Sequence, residues 1–571
     1  MKKQIKYYSV PEISSLQDMV IKSAGKFGYR TALIDLNHTR IPTQTYSQLL
    51  NTILKFGNAL RKMGLKERAH IAIISENRVQ WAISYLTCMC FNYVVVPIDR
   101  NLHANEILNI IYESDSEAII FSESFEPLLR DKQSVLKKLK YFVNMDSLNE
   151  IDGFKSMFEL VTKTEELSLS KLPKINPAEM AVIIFTSGSL GRAKGVMLSQ
   201  KSISANLVSM VSMFLITEED RFLSVLPIHH TYECTCGMLC PLYSGATIYY
   251  ARGLKTIVDD LQKSKATMFL GVPLLFDKIF KKIYKTIQED KVKSVVVPAL
   301  IKTSNLIELF GWKSFKKMIF KEIHEKFGGS IRAFVAGGAA ADPETAKGLR
   351  ELGFHFIQGY GLTETSPILA LNREDYFKDN AAGLHLPGVE LKINEPDQEG
   401  IGEIYAKGAN VMVGYYKNPE LTKEAFDNGW FKTGDIGFID DEGFLHISGR
   451  KKNVIIAKNG KNVFPEEIED ILLKSPFIME VVVYGEKDPK QDEIIAAQIV
   501  VDAEAFIEYS GNKNAKITDE LINEIIAEEV KKVNQQLVLH KQIKKFYVRE
   551  QEFEKTTTQK VKRYLLKTNG H

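Results

Sequence analysis

Residues 69–122 read AHIAIISENRVQWAISYLTCMCFNYVVVPIDRNLHANEILNIIYESDSEAIIFS. The order of patterns in this stretch decides the fold class. Ala69–Ser75 is a β-branched apolar run, and Gln80–Phe91 carries apolar residues at helical spacing. Tyr93–Pro97 is strand-like again, Leu102–Glu113 helical again, and Ala118–Ser122 a third strand. Short apolar runs alternating with helical patterns predict parallel sheet flanked by helices, an α/β fold. Working outward, Glu179–Phe185, Arg221–Leu226, Thr247–Tyr250, Thr267–Gly271, Ile331–Val335 and His355–Gln358 are further strand candidates. Residues 127–178 are more polar and show no clear period.

The chain has 571 residues, more than one ordinary domain holds. The expected organisation is a large multi-sheet N-terminal domain with parallel strands and flanking helices, residues 1–449, and a small α/β C-terminal domain, residues 450–571. The boundary is placed near Gly449–Asn453. A hairpin-like stretch, Gly437–Ile447, precedes it, with a turn at Asp440–Gly443. After it the chain restarts with βαβ character over Val454–Ala457, Glu466–Lys474, Val481–Tyr484 and Ile494–Val501.

Apolar residues make up 45% of the chain and charged residues 25%, as in an ordinary globular protein. A net charge of +3 gives no global field for nucleic acid, so no nucleic-acid partner is expected. The five cysteines are an odd count in a long chain, against a disulfide framework. Cys234, Cys236 and Cys240 have no second ligand group at zinc-like spacing and read as small buried apolar residues. Met1–Val10 lacks the apolar core of a signal peptide, and no run approaches the ~18 apolar residues of a membrane span. The expectation is a reduced, cytoplasmic protein. Between Lys278 and Phe327 stand twelve lysines against five acids. That segment reads either as a solvated helix face or as a surface for anionic lipid or an acidic partner, a peripheral membrane contact.

Five motifs carry chemistry. Thr186-Ser187-Gly188-Ser189-Leu190-Gly191-Arg192-Ala193-Lys194-Gly195 follows an apolar strand. Its glycines free backbone N–H groups for phosphate oxygens, its hydroxyls donate more bonds, and Lys194 adds charge. It is not a Walker A loop, which needs Gly where Ala193 stands and Ser or Thr where Gly195 stands. Gln358-Gly359-Tyr360-Gly361-Leu362-Thr363-Glu364-Thr365 offers an aromatic face between glycines, and a carboxylate, Glu364, able to hold Mg²⁺. Trp430–Asp435 ends in a carboxylate suited to ribose hydroxyls. Gly449–Ile455 lies at the expected boundary, and Lys555–Arg563 near the C-terminus. Each of the last three, taken singly, also reads as a solvated surface run.

In this order and at these separations the motifs resemble the adenylate-forming superfamily of acyl- and aryl-CoA synthetases, peptide-synthetase adenylation domains and luciferase. Leu226–Glu233, Gly271–Lys278 and Gly449–Pro465 are most similar to bacterial long-chain fatty acyl-CoA synthetases. The resemblance implies an AMP-binding N-terminal domain and a mobile C-terminal one. It implies triphosphate binding by Thr186, Ser187, Gly188, Ser189 and Lys194. Gly338 and Ala339 would border adenine and the acyl pocket. Tyr360, beside Gly361, would stack on adenine, Thr363 would contact the α-phosphate, and Glu364 would hold the metal. Asp435 and Arg450 would hold the ribose, and His230 would lie near the substrate carboxylate. Lys452 would be the hinge, Gly460 would line the pantetheine tunnel, and Lys560 would be the catalytic lysine of adenylation. Ser189 and Leu190 stand where the family usually has Thr, Ala193 and Glu554 where it has Pro, and Gln559 where it has Gly.

The implied reaction joins a fatty acid to ATP as an acyl-adenylate, releases pyrophosphate, and passes the acyl group to coenzyme A. An acyl-carrier-protein acceptor, or an aryl or short-chain acid substrate, is the alternative. A carboxylate attacking an anionic α-phosphate needs its charge neutralised. Mg²⁺ at Glu364, Lys194 and Lys560 would supply that electrostatic stabilisation. The sequence leaves oligomeric state open.

Overall fold

The computed structural model describes residues 5–37, 40–186, 193–309, 315–457, 461–488, 492–513, 516–555 and 561–566. The chain divides into two compact units. The first comprises Met1–Leu391, Ala406–Phe431 and Asp441–Leu445; the second comprises Lys392–Tyr405, Lys432–Asp440 and His446–His571.

The first unit holds two large sheets. In one, strands Thr31–Asp35, Thr247–Tyr250, Arg221–Ser224, Met268–Gly271, Ala333–Ala336 and His355–Gly361 run parallel in that spatial order. Antiparallel strands extend it at both ends: Thr43–Thr45 on one side, Ile368–Leu371 and Gly383–His385 on the other. In the other, Met180–Thr186, Val94–Pro97, His70–Ile74, Ala118–Phe121, Tyr141–Asn144 and Lys155–Ser156 run parallel. Lys194–Ser199 and Gly414–Tyr415 close its far edge antiparallel.

The apolar runs explain the parallel pairing. Ile71–Ile74 and Val94–Val96 are all fully buried, as strands covered on both faces must be. The helix Val79–Cys90 between them is buried along its whole length, so its weakly amphipathic sequence suits a helix enclosed by other elements. The strand Tyr141–Asn144 lies inside the stretch that showed no period. Its four residues pair beside Ala118–Phe121, too short a run among polar neighbours to stand out.

In the second unit, a three-stranded sheet of Ile478–Asp488, Asp492–Val501 and Lys545–Arg549 packs with the helices Pro465–Leu472 and Asp519–Gln536 around one core. The expected βαβ run through Val454–Tyr484 is corrected. Ile455–Ile456 pairs instead with Asn462–Val463, and Ile478–Asp488 pairs antiparallel with Asp492–Val501. The reason is connection length: only residues 489–491 separate that pair, whereas a parallel crossover needs about a dozen. The parallel step comes later, between Asp492–Val501 and Lys545–Arg549, across the helices Ala503–Lys513 and Asp519–Gln536.

The lysine-rich segment is two helices, Pro273–Glu289 and Lys293–Leu309, followed by the short Phe315–Ile319 and Lys321–Lys326. All five cysteines are unpaired; Cys236 is partly buried and the other four are buried.

Candidate active site

In the first unit the chemistry-bearing residues gather where parallel strands end, the usual place for a ligand in an α/β sheet. Thr186 and Lys194 are register partners on adjacent antiparallel strands, so both ends of the intervening polar segment are fixed together. Ser187, Gly188 and Ser189 lie outside the described residues. Gly337 and Gly338 follow the strand Ala333–Ala336, and Gly338 has φ +91°, a left-handed backbone that glycine adopts without strain. Gly338 and Ala339 are exposed.

Tyr360 and Gly361 end the strand His355–Gly361, and Thr363–Thr365 follows as a single tight turn. At Gly361 a Cβ would stand 1.9 Å from the Pro367 carbonyl oxygen, so only glycine fits. The turn is pinned from the helix Gln200–Met213. Buried Asn206 donates to the Ile368 carbonyl at 2.7 Å and accepts from the Ile368 N–H at 3.1 Å. Ser202 and Ser366 join their hydroxyls at 3.0 Å. That helix starts at a reciprocal cap, Ser199 with Ser202, which the sequence sets at a three-residue spacing.

Glu364 accepts a hydrogen bond from the Tyr415 hydroxyl at 3.0 Å. Lys194 Nζ lies 5.5 Å from the Tyr415 ring centre, within cation–π range. Tyr415 thus ties the two expected charges together. Its own place is set by pairing with Val196, one strand over from Thr186. Sequence reading missed Tyr415, because it sits in a two-residue strand with no pattern around it.

His230 lies against His229 with ring centres 4.1 Å apart and planes tilted by 43°. His229 Nε2 lies 3.5 Å from Asp99 Oδ2. These three are the one group of three histidine, cysteine or acidic residues converging within 4.8 Å among the described residues. The first unit also holds an apolar cavity of about 50 Å³. Its walls include Met210, Phe214, Tyr232, Met268 and Ile357, and it reaches Ala336 and Gly359, the residues preceding Gly337 and Tyr360.

The second unit brings together Asp435 and Arg450. Arg450 Nε sits 2.8 Å from the carboxylate of Asp435, a residue 4% exposed, and Arg450 Nη1 donates to the Thr433 carbonyl at 3.3 Å. Thr433 Oγ1 bonds the Ile404 carbonyl at 2.7 Å, fixing the strand that presents the acid. Lys452 is exposed in the turn Lys451–Asn453. Gly460 and Lys560 lie outside the described residues. The flanks of Lys560 are held: Lys555 and Val561 form a bridge, and Lys562 N–H donates to Glu554 O at 2.8 Å. Arg563 grips Glu469 with both carboxylate oxygens and donates to Val483 O. Burial pushes the Glu469 carboxyl up to about 7 even against that guanidinium.

Residues 20–416 match the model of the AMP-binding enzyme family, and residues 467–560 that of its C-terminal domain. The chain belongs to the AMP-binding enzyme family. Curated relatives of this AMP-binding enzyme include a long-chain-fatty-acid–CoA ligase of Mycobacterium bovis, 28% identical over 91% of this chain and 89% of the relative. Long-chain-fatty-acid–CoA ligase 1 of Cavia porcellus is 31% identical over 82% of this chain and 70% of its own. A chloroplastic long-chain-fatty-acid–[acyl-carrier-protein] ligase of Arabidopsis thaliana is 28% identical, over 85% and 76%. Among solved structures, the anthranilate CoA ligase with anthranoyl-AMP superposes with a TM-score of 0.77, at 20% identity over 98% of this chain and 97% of that one. ATP-bound MatB of Rhodopseudomonas palustris gives 0.75, at 23% over 96% and 97%. Both show the same α/β fold as the expected large and small domains.

Proposed function

We propose that this enzyme activates a medium- to long-chain fatty acid with ATP to the acyl-adenylate, releasing pyrophosphate, and then transfers the acyl group to coenzyme A. The observation that carries this reading is the apolar cavity whose lining includes Ala336 and Gly359, with the Lys194–Tyr415–Glu364 cluster in the same unit. The cavity offers an apolar tail a dry place, and Lys194 offers a charged head a cation in the same unit. The cavity is narrow, and two of its walls are the unbranched, adaptable side chains of Met210 and Met268. A long acyl chain enters by re-packing them.

Glu364 suits Mg²⁺, since a part-exposed carboxylate with one oxygen steadied by a phenol is a hard oxygen donor. When bound, Mg²⁺ supplies charge neutralisation to phosphate oxygens. Lys194 contributes a second positive charge, and Tyr360 presents a ring for adenine. Asp435 suits ribose hydroxyls as an acceptor, with Arg450 holding it in place. Lys560 is assigned adenylation and the Gly460 segment thioester formation. The carrier-protein ligase among the relatives favours a second acceptor, acyl carrier protein, for the same chemistry.

The enzyme is also proposed to work at an anionic membrane surface from the cytoplasmic side, where its substrate partitions. Val292, Val295 and Leu306 are 69%, 71% and 59% exposed, beside exposed Lys278, Lys281, Lys282, Lys285, Lys291 and Lys302. Apolar residues ringed by lysines suit an interfacial helix pair. No helix among the described residues is long and apolar enough to cross a membrane.

Pyrophosphate release from ATP, with acids from acetate to long-chain fatty acids and with CoA or carrier protein, tests the main reading. Release that needs a fatty acid and ends in acyl-CoA supports it. Silence with every acid overturns it.

A further inference from the structure

Glu233 is the second residue of the wide helix Tyr232–Leu239, three residues after His230. It is 1% exposed. Its Oε1 accepts from Ser224 Oγ at 2.5 Å, while Oε2 is buried with no hydrogen-bond partner. Ser224 in turn accepts from Asn77 Nδ2 at 2.9 Å. Asn77 also donates to the Leu226 carbonyl at 2.6 Å and accepts from the Ile228 N–H at 3.1 Å. A continuous chain of bonds therefore runs from Glu233 to the two ends of Leu226–Ile228, the loop that leads directly into His229 and His230. The carboxyl has room because residue 237 is glycine: a Cβ there would stand 2.7 Å from it.

We propose that Glu233 is a positioning residue for His230, acting through Ser224 and Asn77 on the loop that carries that histidine. The arrangement suits the uncharged acid. A carboxylate with one oxygen buried and unbonded is costly, whereas the neutral group can stay. Burial raises the Glu233 carboxyl to about 8. The titratable side chains that sense it are Tyr232, Cys234 and Cys236 on its own helix and Tyr250 on a neighbouring strand, with Asp35 acting on Tyr250 in turn. Burial keeps those phenols and thiols neutral, so they add no further negative charge, and none of them is a group that could carry a compensating positive one. Above pH 8 the acid ionises, and the buried Oε2, charged and without a hydrogen bond, must draw in water or shift, which loosens the chain of bonds on the loop.

The proposal rests on the adenylation reading for its kinetic test, and a second readout stands apart from it. In the full-length enzyme, kcat for pyrophosphate release should fall with a midpoint near pH 8. Glu233→Gln, neutral at every pH, should keep kcat within about threefold at neutral pH and lack that fall. Glu233→Ala should lower kcat about tenfold while the KM for ATP stays within about twofold, the mark of lost positioning rather than lost binding. If the alanine variant does not fold, the glutamine profile decides. Independently of turnover, the His230 ring signal in selectively ¹³C-labelled enzyme should shift as pH passes 8 in the native protein and not in Glu233→Gln. An unmoved His230 signal, or a glutamine variant that keeps the native alkaline fall, overturns the proposal. A native enzyme that releases no pyrophosphate with any acid, yet shows the His230 shift, sinks the adenylation reading alone.

Discussion

Tyr415 is the residue on which the first unit's charges converge. Its hydroxyl holds Glu364 and its ring faces Lys194. Tyr415→Phe keeps the ring and removes the bond to the carboxylate. A hydrogen bond to a charged group contributes about 1.5–3 kcal/mol, so the variant should raise the KM for MgATP roughly tenfold. Titrating MgATP in the pyrophosphate assay checks this; an unchanged KM would mean that Glu364 needs no help from Tyr415. The single residues legible in the sequence were those in dense motifs. Glu364, Tyr360 and Lys194 sit among glycines and hydroxyls that announce a phosphate or base. Tyr415, Asn77 and Asp99 act through partners far along the chain, and nothing local marks such a contact.

At the scale of elements, the helix Gln200–Met213 serves the site by one residue. Asn206 is fully buried and satisfies both backbone groups of Ile368. Asn206→Leu leaves that N–H buried without its partner, at about 1–3 kcal/mol, and leaves the C=O only the longer bond from Asn410 Nδ2 at 3.2 Å. The denaturation midpoint should drop and activity should fall with it. A variant with native stability would show that the Thr363–Thr365 turn is fixed elsewhere. A second element-scale prediction concerns pH. Glu469 has its folded carboxyl raised to about 7 from an ordinary value of 4.5, mainly by burial and despite Arg563. A raised carboxyl binds protons more tightly folded than unfolded. It therefore favours the fold below about pH 4.5, and that contribution is lost as pH rises through 7. Arg563→Met removes the opposing charge and raises the carboxyl further, so the variant should lose more melting temperature than the native chain between about pH 6 and 8. Equal slopes would show that the two groups are not coupled. The alternation of strand and helix was readable at this scale because buried parallel strands are continuous apolar runs. Pairing direction in residues 454–501 was not, since it depends on connection length and on partners, which periodicity does not record.

For the whole molecule, the exposed valines and lysines of residues 273–309 predict salt-sensitive binding to lipid. Flotation with phosphatidylglycerol vesicles should recover most of the enzyme at low salt and little at about 0.5 M, where charges are screened beyond a few ångströms. Val295→Glu combined with Leu306→Glu should abolish it without lowering turnover on a soluble short acid. Equal recovery on neutral phosphatidylcholine would remove the electrostatic part of the idea. Two bodies were legible in the sequence; their make-up was less so, because Lys392–Tyr405 and Lys432–Asp440 join the second unit from well before residue 449.

The five cysteines have a practical consequence. Burial pushes the Cys90 and Cys234 thiols up to about 12 and raises the other three as well. Thiolate is the reactive form, so a maleimide dye at neutral pH finds almost nothing to label in the native chain. The wild-type background is already a blank canvas for fluorescence. Val135→Cys and Leu539→Cys, at positions 62% and 75% exposed in different units and away from the residues assigned to the chemistry, would be the two places a donor and an acceptor dye attach. Single-molecule energy transfer could then time each half-reaction without first stripping the protein of its own sulfur.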